Sequence, residues 1–113
     1  MEKNENDVMA VIDYTSQLNP GPGFGSMNDK YAIAEGNVVT INFSGWASAS
    51  AGNDSIIATI PAALKSNVSN VFFTAFNHTR KTAVGCRING TNIIANNFIG
   101  GDNYWIAVTY VKK

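Results

Sequence analysis

Ala83-Val84-Gly85-Cys86-Arg87-Ile88-Asn89-Gly90-Thr91-Asn92-Ile93-Ile94-Ala95 is the stretch that settles the fold class. Val84, Cys86 and Ile88 alternate with smaller or polar neighbours, which is the two-residue period of a half-buried strand. Asn89-Gly90 follows, and both residue types tolerate the positive φ of a tight turn. Thr91 to Ala95 then resumes an apolar, β-branched run. The reading is a hairpin of Ala83 to Ile88 against Thr91 to Ala95, with Cys86 a small buried core residue.

The flanking segments repeat this pattern. Tyr104 to Val111 reads as the last strand, entered from the loop Gly100-Gly101-Asp102-Asn103, and Val71 to His78 as the strand before the hairpin. Upstream, Tyr31 to Ala34 and Val38 to Trp46 flank the turn dipeptide Gly36-Asn37. Alternation places Val39, Ile41 and Phe43 on the core face of the longer strand, with Val38, Thr40, Asn42, Ser44 and Trp46 opposite. Small residues from Ala47 to Gly52 make a loop. Ser55 to Ile60 is a strand that Pro61 stops, because proline brings no N–H to the ladder. Ala62 to Lys65 makes at most one helical turn. Val8 to Thr15 is the first strand, and Asn19-Pro20-Gly21-Pro22-Gly23-Phe24-Gly25 reads as a loop or linker. Apolar residues rarely recur at helical spacing. About eight strands with regularly spaced turns predict an all-β fold: an antiparallel β-sandwich with jelly-roll-like connections. Residues 1–30 would supply an N-terminal strand and a Gly/Pro linker, and residues 31–113 the sandwich itself.

Composition narrows the function. A length of 113 residues is one domain's worth of chain, and 8 basic against 8 acidic residues leave a formal net charge of +0. Nucleic-acid binding draws on a clustered excess of Lys and Arg, so no nucleic acid is expected as partner. The single cysteine excludes a disulfide scaffold and a Cys-based zinc site, and the single histidine, His78, leaves little for any other metal or cofactor. No apolar run approaches the ~20 residues that cross a bilayer, so no membrane insertion is expected. Met1-Glu2-Lys3-Asn4-Glu5-Asn6 is too polar for a signal peptide. Asn is in excess, at 15 residues, and Ser plus Thr contribute 16 more neutral hydrogen-bonding side chains.

The last strand carries apolar residues on both faces, Tyr104, Ile106, Val108 and Tyr110 on one and Trp105, Ala107 and Val111 on the other. A sandwich strand needs one apolar face, so the surplus predicts a second buried surface and hence an oligomer. Which face enters the core stays open.

Four segments carry a family likeness: Gly36-Asn37-Val38-Val39-Thr40-Ile41, Ile57-Ala58-Thr59-Ile60-Pro61, Cys86-Arg87-Ile88-Asn89-Gly90-Thr91-Asn92-Ile93 and Trp105-Ile106-Ala107-Val108-Thr109-Tyr110. In this order and spacing the chain from Tyr31 onward resembles the C-terminal head or shoulder domains of phage tail-fibre and baseplate receptor-binding proteins of phages infecting Gram-positive bacteria. The likeness departs after Pro61, where Ala62-Ala63-Leu64 stand in place of the family's glycine and aromatic. It implies a β-sandwich in a homotrimeric fibre of the virion, extracellular after lysis, with a host cell-surface saccharide and other tail or baseplate proteins as partners.

Enzymatic chemistry is not expected. His78 sits at a strand end with no Gly-x-Ser-x-Gly elbow in the chain, so no catalytic residue is assigned. The glycines at 21, 23 and 25 lack the lysine of a phosphate loop. Five Asn-x-Ser/Thr sequons, at Asn42, Asn53, Asn67, Asn77 and Asn89, follow from composition. Saccharide binding needs an aromatic face for the sugar's C–H groups beside amides, carboxylates or guanidinium groups for its hydroxyls. Asp102-Asn103-Tyr104-Trp105 is the densest such cluster, Trp46 is a second candidate ring, and the polar tip containing Asn77, His78 and Arg80 supplies donors. Two other readings stay open: a structural trimerisation or spacer domain of a virion fibre, and a carbohydrate-binding module of a cell-wall enzyme.

Overall fold

Strand-type alternation dominates the chain, and the computed structural model, which describes residues 10–113, turns it into nine strands. In chain order they are β1 (Val11–Asp13), β2 (Asn19–Pro20), β3 (Phe24–Glu35), β4 (Val38–Ala47), β5 (Asn53–Thr59), β6 (Val71–Asn77), β7 (Thr82–Asn89), β8 (Asn92–Asn97) and β9 (Asn103–Val111). They form one antiparallel sheet, ordered β1-β3-β4-β9-β6-β7-β8-β5-β2, that curls into a half-barrel and packs as a β-sandwich. The last two strands each insert between earlier ones, β9 between β4 and β6 and β8 between β5 and β7. The chain therefore crosses repeatedly between the halves of the sheet, the connectivity expected of a jelly-roll-like fold. One-turn 3₁₀ segments at Thr15–Gln17 and Ala62–Leu64 are the helical pieces of the described residues.

Three sequence expectations are corrected. Among the described residues of the first strand, Val11–Asp13 pairs with Ile33 to Glu35; Val8 and Met9 lie outside the described residues. The expected linker is part of the sandwich: Asn19 and Pro20 pair with Thr59 and Ala58 at the sheet edge, and Leu18 and Phe24 are buried in the common core. An edge tolerates proline because its missing N–H faces away from the ladder. Gly21 passes so close to the Ile56 carbonyl that a Cβ would collide with it, so glycine there permits the approach. Residue 30 itself lies within β3. The third correction concerns the central hairpin, where Asn89 pairs with Asn92 and the turning residues are Gly90 and Thr91. Only Gly90 has positive φ (60°), the pattern of a type II′ rather than a type I′ turn.

β3 is far longer than expected because bulges hide it from a periodicity reading. One extra residue enters between Phe24 and Ser26 and another between Asn28 and Tyr31, opposite unbroken β4. A third bulge, between Ile56 and Ala58, turns two successive residues, Ile57 and Ala58, into the core.

The core is one cluster that collects Val39, Ile41 and Phe43 of β4, Cys86 and Ile88 of β7, and Ile93 and Ala95 of β8. On β4 and β7 these are the faces that alternation assigned. On β9 the buried set is Tyr104, Ile106, Val108 and Tyr110, and Trp105 and Val111 are about half exposed. Partners outside the strand make that choice. Phe98 stacks on Tyr104 with ring centroids 3.6 Å apart, and the Tyr110 hydroxyl donates to the Leu64 carbonyl at 2.6 Å. Burial pushes the Tyr110 hydroxyl pKa upward and that of the Cys86 thiol up to about 12, which leaves Cys86 a packing residue rather than a nucleophile.

Candidate ligand-binding site

β6 and β9 meet through only two residue pairs, Phe76 with Trp105 and Asn77 with Tyr104. That short pairing joins the two polar-aromatic segments singled out in the sequence. It continues past the strand end, where the His78 amide donates to the Asn103 carbonyl at 2.9 Å and the Asn103 amide to Thr79 Oγ1 at 2.8 Å. The Asn77 Oδ1 accepts the Arg80 amide at 2.9 Å and so shapes the hairpin tip between β6 and β7.

Beneath this junction lies a buried polar network. Asp102 Oδ2 accepts Asn77 Nδ2 at 2.9 Å and Arg80 Nε at 2.6 Å, and Asn77 Nδ2 also donates to the Tyr104 hydroxyl at 3.1 Å. The same hydroxyl accepts the Ile99 amide at 2.8 Å. Hydrogen bonds from Asn77 and Arg80, with the guanidinium charge, hold the Asp102 pKa below the usual carboxylate range against the opposing effect of burial. No buried side-chain nitrogen or oxygen among the described residues lacks a partner. Asn77, Asp102 and Tyr104 are therefore internal supports of the site, and Arg80 reaches from the network to solvent.

Rings cover the outer side. The Trp105 indole stacks against His78, centroids 4.3 Å apart and planes 18° apart, and leans on Phe76 at 5.5 Å. His78 Nδ1 lies 3.1 Å from Lys81 Nζ. Trp46 pairs with Asn103 across β4 and β9 while Ser44 pairs with Trp105, so both tryptophans project from the same outer face, one diagonal step apart. Asn103 Nδ2 donates to the Gly45 carbonyl at 3.1 Å and ties the start of β9 to β4.

Past the two paired residues β6 and β9 part company. At its far end β9 meets residues 65–67 instead, through a Ser66–Lys112 bridge. The opening is a groove of about 640 Å³. Its outer lining is Trp105 and Ala107 of β9, Thr74 and Phe76 of β6, Asn42 and Ser44 of β4, Asp29 from the β3 bulge and Ala83 of β7, over Phe43, Ala75 and Ile106. Of the eight residues chosen from sequence, Trp105 lines the groove, His78 backs its ring, and Arg80, Asn77, Asp102 and Tyr104 hold the junction from below. Trp46 and Asn103 lie beyond the groove toward β4. Sequence reading missed Asp29, Asn42, Ser44, Thr74 and Phe76 as a set. Asn42 and Ser44 stood on the outward face of their strand, which was a usable signal; Asp29 depends on a bulge that left none. A second hollow of about 350 Å³, lined by Lys65, Ser66, Asn67, Val68, Ser69, Gly90 and Lys113, contains no ring. Among the described residues no three His, Cys, Asp or Glu side chains converge as a metal site.

No protein-family model matches the chain, and no curated protein matches it in sequence. Solved structures do match in fold. The receptor-binding protein of Listeria phage PSA superposes with a TM-score of 0.67 at 21% identity, over 99% of this chain and 71% of that one. The head domain of phage bIL170, described with the receptor-binding domains of lactococcal phages, gives a TM-score of 0.63 at 16% identity, over 86% of this chain and 96% of that one. The fold is that of phage receptor-binding head domains, as the sequence resemblance implied.

Proposed function

We propose that this protein is a receptor-binding domain of a phage tail that adheres to a host cell-surface saccharide as a homotrimer, in the virion and without covalent chemistry. The groove carries this reading. A pyranose has apolar C–H faces and a rim of hydroxyls, and the groove pairs two rings, Trp105 and Phe76, with an amide, two hydroxyls and a carboxylate. The ringless second hollow lacks the stacking half of that chemistry. The fold likeness to phage receptor-binding proteins supports the tail setting.

The trimer rests on a separate patch. Val11, Glu35, Val38 and Val111 lie in one register row across β1, β3, β4 and β9, and all three valines are exposed. Six residue steps along extended β9 separate Val111 from Trp105, roughly 20 Å, so copies can meet at the aliphatic end while the aromatic end stays open. Trimeric display turns a roughly millimolar single-site affinity into useful adhesion, because linked sites raise avidity by about 10²–10⁴.

Binding of the full chain to purified host cell-wall polysaccharide, with Trp105→Ala beside it, tests the reading. Loss of the ring is expected to weaken binding at least roughly tenfold, about 1.4 kcal/mol, with the fold intact. Equal binding by the variant removes the groove from the account. Absence of binding to every host polymer, in a chain that still trimerises, favours a spacer domain, and release of reducing sugar favours a cell-wall enzyme.

A further inference from the structure

We infer that the groove selects a saccharide carrying a protonated amine, with Asp29 as the residue that reads the charge; this rests on the groove being the saccharide site. Asp29 lies in the second β3 bulge, with φ of 52°, and its carbonyl accepts Asn42 Nδ2 at 3.0 Å. A bulge re-aims a side chain relative to the strand, and here the result is the one ionisable group in the groove lining.

The cations nearby are engaged elsewhere. Lys30, next in sequence, donates to the Leu18 carbonyl at 2.9 Å, Arg80 Nε is bound to Asp102, and Lys81 lies against His78. Among the described residues Asp29 makes no ion pair, so they leave the carboxylate of this groove-lining residue uncompensated. An ammonium group on a sugar seated against Trp105 meets that carboxylate as a charge-assisted hydrogen bond, whereas a phosphodiester or uronate there meets a like charge.

Conformation alone does not ask for a carboxylate. Asparagine enters the left-handed region as readily as aspartate, so Asp29→Asn keeps the bulge and removes only the charge. The probes are chitosan tetrasaccharide, its N-acetylated counterpart chitin tetrasaccharide, and a glycerol-phosphate polymer, each titrated into the full chain. The wild type is expected to bind the free-amine sugar roughly three- to tenfold more tightly than the acetylated one, with the difference shrinking as salt rises. Asp29→Asn should erase that difference by lowering the affinity for the free-amine sugar to that for the acetylated one. A difference that survives in Asp29→Asn, or a wild type that prefers the acetylated sugar or the phosphate polymer, overturns the inference while leaving the groove a saccharide site. A folded wild type that binds none of the three, or a Trp105→Ala chain that binds all of them normally, overturns both readings.

Discussion

Asp102 shows how one side chain can hold a surface in place without belonging to it. Its Oδ2 gathers Asn77 and Arg80, and through Asn77 the network reaches Tyr104, so the hairpin tip and the start of β9 are fixed together under Trp105. Because its native pKa is lowered relative to the unfolded chain, Asp102 stabilises the fold above the ordinary carboxylate pKa. That contribution is lost as pH falls through the carboxylate range toward the native value. Asp13, held low by the Thr15 side chain and then by its amide, adds a slope of the same sign. Thermal unfolding followed from neutral pH to about pH 3 should therefore show a shallower acid decline for Asp102→Asn than for wild type, with Asp13 common to both. Identical slopes would show that the carboxylate does no more than an amide. Asn77→Ala removes a buried donor from the same acceptor and should lower stability by about 1–3 kcal/mol in urea unfolding.

At the scale of the strand, β3 and β4 illustrate what a close approach requires. Gly45 lies on the inward face of β4 with φ of 154°, and a Cβ there would strike the Ser26 carbonyl and the Phe24 ring. That ring occupies the space and packs edge-on against Phe43, centroids 5.5 Å apart. Gly45→Ala is expected to destabilise by about 1–3 kcal/mol, since the β3 bulge must shift to admit it. Gly52, in the loop before β5, has open space where a Cβ would project, with no atom within 4 Å, and no positive φ. Gly52→Ala should be neutral or stabilising by about 0.4–1 kcal/mol through the unfolded chain. Chemical denaturation of the pair separates steric demand from glycine entropy, and equal effects would refute the distinction. Bulges such as this one are also why the length of β3 was not legible in the sequence. An inserted residue reverses the in-out alternation, so Phe24 to Lys30 reads as irregular although it belongs to one continuous strand.

For the whole molecule, the proposed function divides the outer face of β9 between two tasks, a ringed end for ligand and an aliphatic end for a second copy. Light scattering should give three times the 12.1 kDa protomer mass. Val111→Asp, on an exposed position, should dissociate the assembly without unfolding the sandwich. A wild-type monomer, or a Val111→Asp chain that remains trimeric, would rule out this seam. Ligand binding by isolated protomers should then persist at the single-site affinity, because the groove is built from one chain.

The unbulged strands and the core face of β4 were legible because alternation is local: each side chain's direction follows from its own position along an extended backbone. Both faces of β9 are apolar, so alternation could not choose between them; Phe98 from the preceding loop and Leu64 from a remote part of the chain pack on the tyrosine side and leave Trp105 outside. The same limit hid the groove. It exists because β6 and β9 pair at two residues and then separate, and the spacing of strands far apart in sequence is set by packing between them rather than by the residues of either.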